Sequence, residues 1–354
     1  MATVKANAYG HGAHEVSLAA LAAGADQLGV AMAEEAMALR QFGIAAPIMI
    51  FGALPPRAAN AIVEQGITAT VASVDDVRLL DQVGRINDKP ARVHVKVDTG
   101  MGRLGVRDEA EMLAVLTAIE DSSYVQLEGM FTHLSSADEM QTEAGFSYTR
   151  MQRDRFLAAL ATARRAGFHV PIAHLANSAG LLWDASFHFD MVRPGIALYG
   201  YHPAPDWDTP VELLPVLELR SVITRIASMS RGEAISYGRL YRTDASERIA
   251  TVALGYADGV PRALANKGYV EVNGVPAPMV GKVCMDQLMV NVTDMEARVG
   301  DEVVVYSADL ASKASLARHA EVMGTIPYEL LCGIGGRVPR ECHPKLDVGL
   351  HDAL

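Results

Sequence analysis

The chain of 354 residues has only three cysteines, Cys284, Cys332 and Cys342, an odd number without C-x-x-C spacing. That argues against a disulfide framework and a thiolate zinc cage, and it makes a reducing cytoplasm the default compartment. Positive charge is scarce as well. With 31 Lys and Arg against 42 Asp and Glu, the net charge is −11, so no excess cationic field is available for a nucleic-acid backbone. No apolar run reaches the ~18 residues of a membrane span. The longest candidate, 16–39, is broken by Asp26, Glu34 and Glu35. The opening Met-Ala-Thr-Val-Lys-Ala lacks a basic stretch followed by an apolar core, so no secretory signal is read there.

What is present suits a folded enzyme: half of the residues are hydrophobic, 21% are charged, and mean hydropathy is +0.14. At ~150 residues per domain, two domains are expected. Strand-like apolar runs at 2–6, 27–32, 47–52, 68–72, 92–98, 125–133, 170–177 and 189–193 alternate with helix-period stretches at 13–23, 34–42, 57–65, 75–83, 108–120 and 151–166. Such alternation demands parallel pairing, and eight repeats favour a closed (β/α)8 TIM-type barrel over an open doubly wound sheet. After Tyr201 the Pro-rich stretch 202–210 marks a boundary. The expected domains are a cofactor-binding barrel over 1–210 and a mostly β domain over 211–354. The second should contain strands at 216–228, 248–254, 269–273, 288–292 and 302–306, a hairpin turn in Val-Asn-Gly-Val at 272–275, and a short helix near 315–323.

Barrel enzymes place their chemistry at the carboxyl ends of strands, with phosphate sites after strands seven and eight. That rule collects Lys5 and Tyr9 after strand one, Lys96 and Arg103 around strand five, His133 at strand six, Asn177 and Ser178 after seven, and Arg193, Gly195 and Ile196 after eight. A lysine in an apolar strand is costly unless it pairs, reacts or shifts its pKa. Lys5 alone could equally be snorkelling at the barrel mouth. With a phosphate site nearby, however, a buried amine points to pyridoxal 5′-phosphate (PLP), whose ring is an electron sink tuned by the group facing its nitrogen. Arg193 would be that group, or else a structural arginine paired with a barrel carboxylate.

The motifs VKANAYGHG at 4–12, KVDTGMGRLG at 96–105, THLSSADE at 132–139, HLANSAG at 174–180, VRPGIALYG at 192–200, ISYG at 235–238, GYADGVPR at 255–262, GKVCMDQ at 281–287 and IPYELLCGIGGRVPR at 326–340 closely resemble the alanine racemase family, in order and spacing over essentially the whole chain. The resemblance implies a PLP-dependent racemase (an isomerase) that interconverts L- and D-alanine with two bases and supplies D-alanine for the cell wall. It implies a homodimer with composite active sites. By the same resemblance Lys5 is the Schiff-base lysine and Tyr237 the second acid/base, contributed by the other subunit. Tyr9, Ser178, Gly195, Ile196 and Tyr328 resemble the phosphate ligands, and Arg193 the partner of the pyridine nitrogen. Arg103 is similar to the residue contacting the cofactor's phenolic oxygen and the substrate carboxylate, and Met285 to the backbone amide that also receives that carboxylate. Lys96 matches a position often carbamylated, His133 the histidine bonded to the catalytic tyrosine, and Asp138, Tyr256 and Arg262 the lining of the substrate entrance.

Competing patterns are weaker. G-x-G-x-x-G at 100–105 fits a dinucleotide fingerprint, but the next strand does not end in the required acid. ANSAG at 176–180 is close to a nucleophile elbow, yet its first glycine is Ala176 and no Ser, Asp, His order completes a triad. His11, His14 and the thiols lack metal-ligand spacing, so no metal is expected. A PLP-dependent amino-acid decarboxylase of the same barrel class is the alternative activity. A carboxylate facing the ring nitrogen would favour it, and Arg193 disfavours it. A non-catalytic PLP-binding protein should lack the second domain and Tyr237. Finally, family members have about three dozen residues before the lysine motif and this chain has four. Seven helices would then serve eight strands. The expectation is either a longer natural protein or a chain of reduced stability, with an apolar gap beside strands one and eight.

Overall fold

The computed structural model describes residues 1–204, 207 and 211–343. Positions 205, 206 and 208–210 of the expected linker, and 344–354, lie outside the described residues. The first half is built from short strands buried on both faces: β1 Ala2–Thr3, β2 Leu28–Val30, β3 Ile48–Ile50, β4 Ala69–Val71, β5 Ala91–Lys96, β6 Val125–Phe131 and β7 Ile172–His174. Continuous apolar runs such as Ile48–Ile50 form such strands because parallel sheets are covered by helices on the outside and filled on the inside. All pairings are parallel, β1 to β3 in one stretch and β4 to β7 in another, joined by the bridge Met49 to Thr68.

The expected eighth strand, 189–193, is not a regular strand. Phe189 has φ 51° and Pro194 has no N–H to donate. The segment still closes the barrel: Asp190 N donates to Ala173 O at 3.0 Å, Arg193 N to Ala176 O at 3.0 Å, and Thr3 N to Pro194 O at 3.1 Å. Strand one is likewise shorter than the expected 2–6. After Thr3 the chain enters a helical turn, α1 Lys5–Tyr9, in which Ala6, Asn7, Ala8 and Tyr9 all have φ of 52–53°.

Among the described residues, seven α-helices surround these segments: α2 Ala13–Ala22, α3 Ala33–Gln41, α4 Ala59–Glu64, α5 Val74–Asn87, α6 Glu109–Glu120, α7 Glu143–Arg165 and α8 Ser178–Trp183. Side-chain caps start several of them, with Ser73, Asp108, Thr142 and Asn177 each accepting a first-turn backbone N–H. Among the described residues, only a 3₁₀ turn, Ile196–Tyr199, lies between the closing segment and the first strand of the second half. Ala2 on strand one and Val4 just after it are buried. Leu198 on that 3₁₀ turn, and Leu214 and Val216 further along the chain, are exposed.

The second half is antiparallel, in the order β13 Val275–Pro278, β12 Tyr269–Val272, β15 Glu302–Tyr306, β8 Leu219–Met229, β11 Glu247–Val252 and β14 Leu288–Asn291. The bridge Met279 to Val290 brings the two outer strands together. The Asn-Gly hairpin joins β12 to β13 as expected, with positive φ at both Asn273 and Gly274. β9 Ala234–Ile235 and β10 Tyr241–Arg242 form a small separate ribbon.

Beyond β15, α9 Leu316–Met323 and α10 Pro327–Cys332 carry the chain back to the barrel. There α10 packs on the turn after Lys5. A β-carbon on Gly10, whose φ is +82°, would lie 2.0 Å from Leu331 O. Arg340 donates to Gly10 O from Nε at 3.0 Å and from Nη2 at 2.8 Å. Gly10→Ala therefore meets both backbone strain and a backbone clash, and it should lower unfolding stability in urea by about 2–4 kcal/mol. An unchanged transition midpoint would show that the α10 contact does not depend on this glycine.

Candidate active site

One cavity of about 850 Å³ opens at the carboxyl end of the barrel, and twelve of the residues singled out from sequence line it: Lys5, Tyr9, Lys96, Arg103, His133, Asp138, Asn177, Ser178, Arg193, Gly195, Ile196 and Tyr328. The cavity is cationic. Burial lowers the Lys5 amine from its ordinary value, with Arg103 adding to the effect and Glu35 opposing it. Lys96 is buried at the end of β5, its Nζ donating to Val97 O at 3.0 Å and lying 5.2 Å from the centre of the Phe131 ring. Burial, assisted by Arg193, brings its amine down to about 7.

One part of the cavity wall is built from backbone and hydroxyls. Ser178 Oγ, at the start of α8, accepts from Gly195 N at 2.8 Å and Ala197 N at 3.3 Å, which leaves its own proton to donate into the cavity. A β-carbon on Gly195 would lie 2.5 Å from the Tyr9 hydroxyl, so glycine is what allows that hydroxyl to approach. Tyr9 and Tyr328 rings sit 5.9 Å apart and burial raises both phenols, keeping them as neutral donors. This is the donor set a phosphate monoester needs, and PLP fits it: hydroxyls and a glycine-lined backbone at one end, a desolvated primary amine beside them.

Arg193 pairs with no carboxylate among the described residues. Its Nη1 donates to His174 Nδ1 at 2.7 Å, and its Nη2 to Thr132 O at 2.9 Å and Leu175 O at 3.1 Å, with His133 Nδ1 at 3.4 Å. The reading of Arg193 as a structural partner of a barrel carboxylate is thereby corrected. Burial lowers its guanidinium to about 9. His133 and His174 are held well below the ordinary imidazole range, first by burial and then by Arg193.

The glycine-rich loop at 100–105 is not a phosphate loop. Gly100 N and Gly102 N donate to Asp98 at 3.1 and 3.0 Å, and the following helix starts only at Glu109. Its product is the placement of Arg103 at the cavity mouth. The oxygen of the near-elbow serine accepts from the amides of Gly195 and Ala197, and no histidine is among its hydrogen-bond partners in the described residues. No group of three His, Cys, Asp or Glu that could hold a metal occurs among the described residues.

Four expected site residues lie elsewhere on the chain. Tyr237 and Met285 line a separate concavity of about 670 Å³ on the β domain, none of whose residues belongs to the Lys5 cavity. Tyr256 and Arg262 are exposed on 3₁₀ turns of the same domain. Met285 and Tyr256 are on joined segments, since Ala257 N donates to Met285 O at 3.0 Å and Tyr256 N to Cys284 O at 2.9 Å.

One contributor was missed in the sequence. Glu35 Oε1 accepts from Ala6 N at 2.6 Å while Oε2 accepts from Ala31 N at 2.7 Å and Met32 N at 3.2 Å, tying the residue after Lys5 to the start of α3. A glutamate three residues into a helix that follows a strand was the available signal.

A parallel barrel whose one cavity is lined by a desolvated lysine, a set of hydroxyls and backbone that fits a phosphate, and a buried arginine defines the class, a barrel-type PLP enzyme. Residues 1–203 match the family profile described as "Alanine racemase, N-terminal domain", and residues 216–342 match "Alanine racemase, C-terminal domain". The chain belongs to the alanine racemase family. It is 45% identical over 341 residues to the alanine racemase of Symbiobacterium thermophilum, covering 96% of this chain and 89% of that protein. It is 42% identical to that of Desulfovibrio desulfuricans, covering 95% and 89%. Among solved structures, the alanine racemase of Clostridium difficile 630 superposes with a TM-score of 0.88 at 37% identity, covering 95% of this chain and 87% of that one. The alanine racemase of Bacillus anthracis with bound L-Ala-P gives 0.89 at 38% identity, covering 95% and 86%.

The buried histidines set an acid limit. His94, brought down to about 3 by burial and then by Arg193, stays neutral in the fold but takes up a proton near 6.5 when unfolded. The native state therefore binds fewer protons between those values, and stability falls as pH drops through that window, by ~1.4 kcal/mol per pH unit for each such histidine. Comparing urea unfolding of the parent and His94→Gln at pH 6.5 and 4.5, the stability of the parent relative to the variant should shrink by about 2 kcal/mol at the lower pH. A difference independent of pH would mean that His94 is protonated in the native state.

Proposed function

We propose that this chain is an alanine racemase that interconverts L- and D-alanine with PLP and supplies D-alanine for the cell wall. The observation that carries it is the shared cavity in which the lowered amine of Lys5 sits with a phosphate cradle and with Arg193 bound to imidazole and carbonyls instead of a carboxylate. When bound there, PLP supplies an electron-withdrawing ring that makes the substrate Cα proton labile. The protein residues do the rest. Ser178, Gly195, Ile196, Tyr9 and Tyr328 hold the phosphate. Arg103 receives the substrate carboxylate together with the Met285 amide, while Lys5 exchanges the Cα proton on one face.

Because Arg193 donates where a decarboxylase would place a carboxylate, it does not help protonate the ring nitrogen, and the racemase reading is favoured over decarboxylation. The second proton carrier is Tyr237 of the other subunit. Its exposure on the β domain, apart from Lys5, supports a homodimer with two composite sites in which His133 contacts the incoming tyrosine and Asp138, Tyr256 and Arg262 form the entrance. The barrel and β domains divide near residue 210. A cytoplasmic location belongs to the same proposal and accords with three unpaired thiols. Lys96, with its amine near neutrality, takes up CO2 as a carbamate and releases a proton, placing an anion beside Arg103.

Three outcomes are expected. The purified protein with added PLP racemises alanine, whereas Lys5→Ala and Tyr237→Phe are each inactive or slowed at least about a hundredfold. Mixing the two variant chains restores part of the activity through hybrid dimers. Failure of proven hybrids to recover any activity rejects the composite site, and Tyr237→Phe racemising at the parental rate rejects the second base. In carbon-13 bicarbonate the protein should show a carbamate resonance that Lys96→Met abolishes. An identical spectrum for the two rejects carbamylation.

A further inference from the structure

The barrel interior holds two histidines that the proposed chemistry does not use. His94 and His174 are 1% and 0% exposed, and their rings meet edge to face, with His174 Nε2 2.8 Å from His94 Nδ1. On one side His174 Nδ1 faces Arg193 Nη1 at 2.7 Å. On the other, His94 Nε2 lies 4.0 Å from Glu128 Oε2, which also accepts from Thr68 Oγ1 at 2.8 Å, while Arg92 Nη1 is 3.5 Å from Glu128 Oε1. The line runs from the cofactor end of the barrel to its opposite end.

The chemistry of the donors gives this line a direction. A guanidinium has no acceptor, so His174 Nδ1 must be unprotonated and the ring carries its proton on Nε2. That N–H donates to His94 Nδ1, which places the proton of His94 on Nε2, facing the carboxylate of Glu128. Every ring is neutral and every dipole points the same way. The path is also built sterically. A β-carbon at Gly129 would lie 2.7 Å from both Cε1 and Nδ1 of His94, so only glycine leaves room for the ring. Phe131 stacks on His174 at 4.9 Å with 3° between planes and stands 5.5 Å from the Arg193 guanidinium.

We propose that Glu128, His94 and His174 are positioning residues that act through Arg193: the carboxylate at the far end of the barrel orders both imidazole tautomers and so fixes the guanidinium as a donor toward the cofactor ring. The inverted tautomers would set an N–H of His174 against an N–H of Arg193, and the arginine would have to turn away. The proposal rests on Arg193 facing the ring nitrogen, but its first test does not depend on activity.

Nitrogen-15 histidine spectra of the PLP-loaded protein at neutral pH should show both rings protonated at Nε2 only. In Glu128→Leu, His94 should become a mixture of tautomers, and in Glu128→Gln, which retains an acceptor oxygen, the order should be largely kept. In the same Leu variant the cofactor absorption band should shift and kcat for alanine should fall about tenfold with KM changed less than about twofold. Protonation of His174 at Nδ1 in the parent would overturn the proposal. So would Glu128→Leu leaving the tautomers unchanged, or altering them without moving the cofactor band or kcat. If Glu128→Leu does not fold, Glu128→Ala and Thr68→Val, which removes a hydrogen bond to the same carboxylate, give the same readouts. A protein with the expected tautomers but no alanine racemisation would reject the function proposed above and leave the ordered chain standing.

Discussion

Four consecutive residues without glycine, Ala6 to Tyr9, occupy the left-handed helical region immediately after Lys5. Each carries a cost of ~1–2 kcal/mol, so the turn opposes folding by a sum comparable with the ~5–15 kcal/mol stability of a whole domain. Its persistence demands that its surroundings hold it. Glu35 binds Ala6 N, Asn7 Oδ1 accepts from Ala13 N at 2.8 Å, and Gly10 is gripped by Arg340 and Leu331 from the end of the second domain. The return of α10 to the barrel is thus tied to the same few residues that aim Lys5 and Tyr9 into the cavity.

The electrostatics of that cavity run against those of the molecule. A chain with a net charge of −11 gathers Lys5, Lys96, Arg103 and Arg193 around one space, opposed mainly by Glu35 and the more exposed Asp138. Two consequences follow from one cause. Burial together with mutual repulsion lowers the lysine amines toward neutrality, and the remaining guanidinium charge makes the space receptive to a phosphate and a carboxylate. The histidines behind Arg193 avoid charge altogether, which lets them serve as acceptors and donors of fixed direction in place of further cations.

Two sequence patterns suggested other chemistry because a motif specifies backbone freedom and not its use. The glycines at 100, 102 and 105 do make a tight loop, but the amides of Gly100 and Gly102 bind Asp98, a carboxylate four or fewer residues away. The serine at 178 does follow a strand and open a helix, but two backbone amides reach its oxygen from the closing segment. In the first case a local carboxylate takes the amides that a ligand would have needed; in the second, two amides fix the serine oxygen while its proton still faces the cavity, and nothing in the spacing could announce either.

Alternation of apolar runs with helical periods was enough to determine the parallel barrel, since seven of its strands need burial on both faces and their sequence says so. The Asn-Gly hairpin and the β-rich second half were legible for the same reason, as were the residues at strand ends that line the cavity. The eighth segment was not legible as irregular, because Pro194 and the positive φ of Phe189 break its ladder without altering its apolar pattern. Nor were Glu35, His94 and Glu128, whose roles come from partners 29, 80 and 60 residues away. The sequence by itself determined which elements form and which side chains stand at their ends, because period and burial are local properties. Only the tertiary structure decided which polar groups satisfy one another and that Tyr237 stands apart from Lys5 within one chain, because hydrogen-bond partners are chosen by distance in space, which the order of residues does not encode.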